Sequence, residues 1–236
     1  MTFNLLHLKS YPIYEQLLLE ETLLRSSNEN WCLINEGSTP AIVLGISGKK
    51  EELVNEQKAA ENKIPLIKRF SGGGTVIVDE HTLFITFICQ KDLHPFPAYP
   101  EPIMKWTESL YKDTFQHEGF SLRENDYVLH DKKCGGNAQY IKKDRWLHHT
   151  SFLWDYSEER MGYLLHPKKT PSYRESRPHT DFLCRLKEIF PSKEHFVAAF
   201  MASFEQRFPL KSRSVESVLK ELPATERRAT HFIQSV

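Results

Sequence analysis

Two short blocks of the sequence hold the residue types that could act on an anionic substrate. The first is Lys68-Arg69-Phe70-Ser71-Gly72-Gly73-Gly74-Thr75, where three of the chain's ten glycines follow a cationic pair. Successive glycines remove every Cβ, so backbone N–H groups can converge on an anion without steric conflict. Arg69 adds a charge-assisted donor beside that nest. An ordinary glycine turn between strands is the bland alternative, and the flanking cations favour the anion site. No Gly-Lys-Ser/Thr follows, so this is not a Walker A loop. β-branched residues follow rather than a helix, which excludes a dinucleotide fingerprint. The second block is Arg123-Glu124-Asn125-Asp126, then Lys132-Lys133-Cys134-Gly135-Gly136-Asn137-Ala138. Asp126 can hold a hard cation through oxygen, and a lysine ahead of small residues can reach a phosphate or carboxyl with little crowding. A lysine pair taken alone is usually a solvated hairpin edge. His148-His149 on the apolar run that follows brings the two readings level, although only one of two adjacent strand residues can face a pocket.

Elements around these blocks must position them. Tyr14–Arg25 has leucines in helical rhythm, with glutamates on the other side, and predicts a helix packed by its apolar face. Trp31–Leu44 reads as two short strands about a Gly-Ser-Thr-Pro turn, and Glu51–Asn62 as a charged helix. Thr75–Asp79 and Thr82–Ile88 are β-branched and aromatic, predicting a hairpin about Glu80-His81. Pro95–Pro102, with four prolines, predicts a loop, and Met104–Glu118 a helix. Tyr127–Leu129 and Trp146–Trp154 are further strand candidates. Cys184 is expected in a helix over Asp181–Ile189. Phe196, Phe200, Phe204 and Phe208 repeat every four residues and predict the core stripe of an amphipathic helix. The final stretch is polar, with one short helix at most.

With 236 residues, 31 basic and 31 acidic side chains and 40% apolar residues, the composition predicts a soluble globular protein of one large domain. Balanced charge argues against a chain that coats nucleic acid. The longest apolar runs, such as Leu83–Cys89, fall far short of the ~20 residues of a bilayer span. No secretory signal is visible at the start. The four cysteines form no Cys-x-x-Cys pair, so neither a disulfide scaffold nor a structural zinc site is expected, and the chain reads as cytoplasmic.

Taken together, Lys68-Arg69-Phe70-Ser71-Gly72-Gly73-Gly74-Thr75-Val76, Asn125-Asp126, Lys133-x-x-Gly136-Asn137-Ala138-Gln139 and Leu147-His148-His149 resemble the lipoate–protein ligase A family. That family's pattern is Arg-Arg-x-Ser-Gly-Gly-Gly, Asn-Asp, Lys-x-Ser-Gly-x-Ala and His-His-Gly, and the resemblance runs from about Tyr11 to Phe208. It implies an α+β, biotin/lipoyl protein ligase-like (class II synthetase-like) catalytic domain, a mixed β-sheet flanked by helices, over residues 1–210. Residues 211–236 would be a short polar tail in place of the family's C-terminal accessory domain. The implied activity is ATP- and Mg²⁺-dependent activation of lipoate to lipoyl-AMP. Transfer to a lysine of a lipoyl domain follows, in a 2-oxoacid dehydrogenase E2 or the glycine cleavage H protein, with a separate accessory subunit as a further possible partner. By resemblance Lys133 is the catalytic lysine. Arg69, Ser71, Gly72, Gly73, Gly74, Thr75, Val76 and Ile77 hold ATP and adenylate together with Lys133. Gly73, Lys133, Ala138 and His149 contact lipoate, and Asn125 and Asp126 lie near the metal.

The chain departs from the pattern in places. Gly135 stands where the family has Ser, Thr150 where it has Gly, Val78 where it has His, and Leu44–Lys49 lacks the family's arginine. An octanoyl- or lipoyltransferase working through a cysteine thioester is the nearest alternative, and it needs an activated thiolate. Gly119–Asp126 has no cysteine, and Cys134 would face away from Lys133 in an extended segment. A biotin ligase would need a Gly-Arg-Gly-Arg-x-Gly loop that the chain lacks. A non-catalytic module that recognises carriers is the third reading. The basic stretch Pro167–His179 is either a solvated loop, a surface for an acidic acceptor, or the source of an arginine that closes over adenylate, with Arg174 and Arg177 as candidates.

Overall fold

The computed structural model describes residues 1–166, 171–175, 177–222 and 228–233, with only the backbone of His179 and Thr180. The chain begins with β1 (Phe3–Lys9), α1 (Ile13–Ser26), β2 (Asn30–Glu36) and β3 (Ala41–Leu44). Two short helices, α2 (Lys50–Leu53) and α3 (Glu56–Glu61), precede β4 (Leu66–Lys68), β5 (Val76–Val78) and β6 (Thr82–Gln90). Then come α4 (Pro100–Phe115), β7 (Phe120–Arg123), β8 (Asp126–Leu129), β9 (Lys132–Ile141) and β10 (Arg145–Leu153). After α5 (Glu158–Met161), α6 (His179–Phe182) and α7 (Lys193–Arg207), the last elements are β11 (Leu210–Ser212), α8 (Val215–Glu221) and β12 (His231–Phe232). The strands form an eight-stranded mixed sheet, ordered β11-β1-β2-β6-β10-β9-β8-β7, and a four-stranded sheet, β12-β4-β3-β5. This is the expected mixed architecture with flanking helices.

The phenylalanine stripe is core. Phe196, Phe200 and Phe204 of α7 are buried with Phe3, Phe87, Phe115 and Phe152, and Phe3 meets Phe204 edge-on at 5.0 Å. On the other face, α1 sends Leu19, Leu23 and Leu24 into a second cluster, while Ile13 and Leu17 pack on the small sheet. The polar side of α1 is not solvated as its sequence predicted: Gln16, Glu20 and Glu21 are all buried. Glu21 accepts from Arg25 at 2.7 Å and from the N–H groups of Ala229 and Thr230 at 2.8 and 3.1 Å. Burial works against its charge, yet those donors hold its pKa below the ordinary carboxylate value. Two described stretches beyond Pro209 are tied into the sheets. β11 pairs in parallel with β1, and β12 pairs with β4 at His231↔Lys68.

Other local expectations change. β5 and β6 are not a hairpin, because β5 pairs with β3 in the small sheet and β6 with β2 and β10 in the large one. Asp79 makes that switch possible: its carboxylate accepts from His81 N–H at 2.9 Å, and its N–H donates to Thr82 Oγ1 at 3.1 Å. The charged helix at 51–62 is split because Asn55 caps a new helix, accepting from Lys58 N–H. Pro100 and Pro102 lie inside α4 rather than in a loop, where a missing first-turn N–H costs nothing. Cys184 lies between α6 and a short 3₁₀ turn (Leu186–Glu188), not within one helix. No helix among the described residues is long and apolar enough to cross a membrane.

Two buried histidines make stability depend on pH. His148 is fully buried beside Thr107, Gln139 and Thr150. His94 is caged by Phe96, Trp106 and Trp146. Burial lowers their pKa values to about 3 and about 4. Both lie below the ordinary histidine value, so the unfolded chain takes up protons that the folded chain refuses. Stability is complete above about pH 6.5 and falls as pH drops, by about 1.4 kcal/mol per unit from His148, with a further contribution from His94. Urea midpoints measured at pH 7 and pH 5 should differ accordingly, and His148→Gln should flatten the difference.

Candidate active site

A cleft of about 830 Å³ opens between the small sheet, α1 and the β9–β10 ladder. Part of its lining is apolar: Ile13, Leu17, Val43, Val78 and Phe84, which also pack on one another. Another part is charged and polar, with Asp126, Lys133 and Arg174. Gly72–Ile77 joins the two.

The glycine run is held by its own arginine. Arg69 is 3% exposed, and its guanidinium donates to the carbonyls of Gly72 at 3.0 Å, Gly74 at 2.7 Å and Val43 at 3.4 Å. Burial brings its pKa down to about 10, opposed by the nearby Glu20. The predicted anion donor thus acts first as the pin that curls the loop. With the carbonyls turned to Arg69, no described residue accepts from the N–H groups of Gly73, Gly74 or Thr75. Gly73 has φ +108°, and a Cβ there would sit 2.8 Å from the Arg69 guanidinium, 2.9 Å from Ala138 Cβ and 3.0 Å from the Asn137 carbonyl. Gly45 packs as closely, its would-be Cβ 2.2 Å from the Gly73 carbonyl. Gly73→Ala should therefore cost stability by about 1–3 kcal/mol and dislodge Arg69. Thermal unfolding checks the first effect, and an unchanged melting point would show that the loop relaxes freely.

Lys133 comes from β9, just before a bulge at Cys134 opposite Tyr127 and Val128. Its Nζ lies 2.8 Å from Asp126 Oδ1, and the Tyr173 hydroxyl donates to Asp126 Oδ2 at 2.9 Å. Burial and then the Asp126 charge push the Tyr173 hydroxyl's pKa well up, so it stays a donor. Gly136 leaves room for the lysine tip, since a Cβ there would lie 3.2 Å from Nζ. Asp126 is thus engaged on both oxygens, while Asn125 is exposed and its carbonyl accepts from Asn137. Among the described residues no three His, Cys, Asp or Glu side chains converge on a common point. The residues expected near a metal do not assemble an Mg²⁺ site by themselves.

His149, not His148, faces the cleft, as strand alternation requires. Its Nδ1 is 3.0 Å from Glu20 Oε2 and its Nε2 is 3.4 Å from Ser71 Oγ. Glu20 also accepts from Gln16 at 2.8 Å and Thr86 at 2.6 Å. Ser71 itself is buried and turns from the cleft toward His149, whereas Ala138 lines the cleft. Of the two candidate arginines, Arg174 lines the cleft with Nη2 unpartnered, and Arg177 turns away to Asp131 at 2.7 Å. The remainder of the basic stretch, residues 167–170 and 176, lies outside the described residues. Sequence reading missed Gln16, Glu20 and Tyr173. The glutamate and glutamine sit on the polar stripe of α1, and Tyr173 carries no spacing signal at all.

The cysteines are poorly placed to attack a substrate in the cleft. None lines the cleft. Burial raises the pKa of all four thiols, that of Cys184 to about 11.

Residues 12–209 match the model of the lipoyl protein ligase A/B catalytic domain. The inactive lipoate–protein ligase 2 of Plasmodium falciparum (isolate 3D7) is 32% identical over 241 residues, covering 75% of this chain and 61% of that protein. The lipoate-protein ligase LplJ of Bacillus subtilis (strain 168) is 30% identical over 133 residues, covering 55% and 39%. The chain thus spans about three fifths of the first relative's length and two fifths of the second's. Among solved structures, a lipoate protein ligase-like protein of T. acidophilum with bound lipoic acid superposes with a TM-score of 0.75 at 16% identity, covering 94% of each chain. A lipoate-protein ligase A bound with ATP gives 0.74 at 18%, again covering 94% of each. At those identities the structures speak for the fold, and the family model speaks for the sequence: this chain belongs to the lipoyl protein ligase A/B catalytic domain family.

Proposed function

We propose that the chain is a lipoate–protein ligase that condenses lipoate with ATP to lipoyl-AMP and passes the acyl group to a lipoyl-domain lysine. The observation that carries this is Lys133, its ammonium oriented by Asp126 and Tyr173 in the wall of a cleft with apolar lining. In the first step the lipoate carboxylate attacks the α-phosphorus, a P–O bond forms and pyrophosphate leaves. Two anions approach one another, so Lys133, the Arg69 charge and the unengaged loop N–H groups would offset the charge that builds up. In the second step the acceptor amine attacks the acyl carbonyl and AMP leaves. Val43, Val78 and Phe84 would house the aliphatic chain, with Gly73, Ala138 and His149 along it. Thr75, Val76 and Ile77 would meet the adenylate. Mg²⁺ would arrive on the nucleotide phosphates, leaving Asp126 to its own network.

The lipoate-bound and ATP-bound structural neighbours support this substrate pair. A further neighbour, a bipartite ligase of T. acidophilum described with its E2 lipoyl domain, supports an E2 acceptor and a separate accessory subunit, with a glycine cleavage H protein as the other acceptor proposed. The reading is of a cytoplasmic enzyme. The Plasmodium relative is named an inactive ligase, and a second reading has this chain transfer preformed lipoyl-AMP without making it. Intact mass of a lipoyl domain, after incubation with this protein and lipoate, ATP and Mg²⁺, separates the two. An ATP-dependent acyl gain supports the ligase, a gain only from preformed lipoyl-AMP supports the transferase, and no gain from either rejects both.

Tyr173→Phe should keep the fold while releasing one oxygen of Asp126. Turnover should fall about tenfold, the worth of one hydrogen bond to a charged group, with KM for lipoate little changed. An unaltered kcat would remove Tyr173 from the lysine's support.

A further inference from the structure

Behind Lys133 two thiols are aligned by backbone pairing. Lys133 and Leu183 form an isolated parallel bridge, and Cys184 N–H donates to the Lys133 carbonyl at 2.8 Å. Lys133 and Leu183 both turn into the cleft. Extended chain alternates its faces, so the next residue on each segment turns the other way. Cys134 is indeed buried in the phenylalanine-rich core, and Cys184 packs against that same cluster. Cys134 and Cys184 each follow that bridge by one residue, and the spacing of paired chains, about 4.8 Å, falls inside the ~4.4–6.8 Å Cα separation that a disulfide spans. Burial raises the Cys134 pKa, and the Cys184 thiol adds to that rise, which also puts the two groups within electrostatic reach.

The segment that carries Cys184 is one wall of the cleft. It holds Tyr173, Arg174, Phe182 and Leu183, and it is attached to the β7–β9 region by reversible contacts: Ser172 to Glu124, Tyr173 to Asp126 and Arg177 to Asp131. We propose that Cys134 and Cys184 are a redox-sensitive pair whose disulfide tethers this wall to β9 and so slows exchange of substrate through the cleft. With a low-molecular-weight disulfide as oxidant, the half-buried Cys184 thiolate attacks one of its sulfurs and expels a thiol. Cys134 sulfur then displaces the second thiol from Cys184. The two protein thiols are oxidised to one disulfide, the oxidant is reduced to two thiols, and the cysteine protons leave on them. A reducing thiol reverses both steps.

The cross-link stands on this geometry alone, and its effect on turnover rests on the ligase reading. The test incubates the whole chain with oxidised glutathione and maps peptides without reduction. A Cys134–Cys184 peptide pair is expected, together with slower hydrogen exchange over residues 171–184. Acyl transfer should drop at least fivefold and return with dithiothreitol, whereas Cys184→Ser and Cys134→Ala should each be insensitive to the oxidant. A persistent glutathione adduct on Cys184, thiols that all stay free, or a cross-link that leaves both exchange and transfer unchanged would overturn the proposal. If the reduced protein transfers nothing, the ligase reading fails by itself, and peptide mapping with hydrogen exchange still decides on the tether.

Discussion

Replacing Lys133 by alanine should lower acyl transfer by 10²–10³-fold, the ~3–4 kcal/mol that one preorganised donor contributes to a charged transition state, while the protein stays folded. The ammonium is the cation on this wall held in one place by a partner, at 2.8 Å from Asp126, and Gly136 is shaped to admit it. Lys133 is 24% exposed along its side chain, so water can solvate Asp126 after the change, and Tyr173 still donates to it. The stability loss should therefore stay small beside the kinetic one. Steady-state transfer and a urea melt on the same preparation measure both. Transfer within a few-fold of the parent would show that charge at the α-phosphate is neutralised elsewhere. Arginine at 133 should not rescue, because a planar fork cannot occupy the space that Gly136 leaves for a compact ammonium.

Arg69→Ala should act differently, with activity and stability failing together. The guanidinium is buried and satisfies the carbonyls of Val43, Gly72 and Gly74. Its loss strands three acceptors and removes the pin that gives Gly73 its φ of +108°. About 2–4 kcal/mol of stability should go, the usual range for breaking a buried polar network, and transfer should fall by at least 10²-fold. Lysine at this position can reach one carbonyl but not all three, and should restore stability in part and transfer hardly at all. The outcome that matters most is lost transfer with unchanged stability, since Arg69 would then act on the substrate and not on the loop.

Much of the fold was legible where one residue period runs unbroken. The phenylalanine stripe of α7 packs on the face that its spacing dictates, and the β-branched run of β6 is buried along nearly its whole length. The sequence misled where a neighbour in the chain is not a neighbour in space. β5 and β6 look like a hairpin, yet they belong to two sheets, and no local pattern marks a strand that changes partner. At the site, motif order pointed to Lys133, the glycine run and His149, all of which line the cleft. It did not show that Arg69 spends its donors on its own loop, because the carbonyls that accept them only converge once the loop is curled. Glu20 was hidden for another reason. Its place on the polar side of a helix reads as solvent, and only the second layer, with Gln16, Thr86 and His149, makes that side an interior. Tyr173 is joined to Asp126 across 47 residues of chain, a separation at which sequence spacing carries no information.

The pairing of β12 with β4 has a consequence for how the protein is made. His231 lies opposite Lys68, and Glu21 grips the N–H groups of Ala229 and Thr230, so the strand leading directly into Arg69 gains its outer partner from residues synthesised about 160 positions later. During synthesis the glycine loop can begin to curl but its sheet keeps an open edge, and the main sheet likewise lacks β11 beside β1. A ribosome-bound nascent chain would hold both edges bare for seconds at ordinary elongation rates, an interval in which unpaired strands are open to association with other chains.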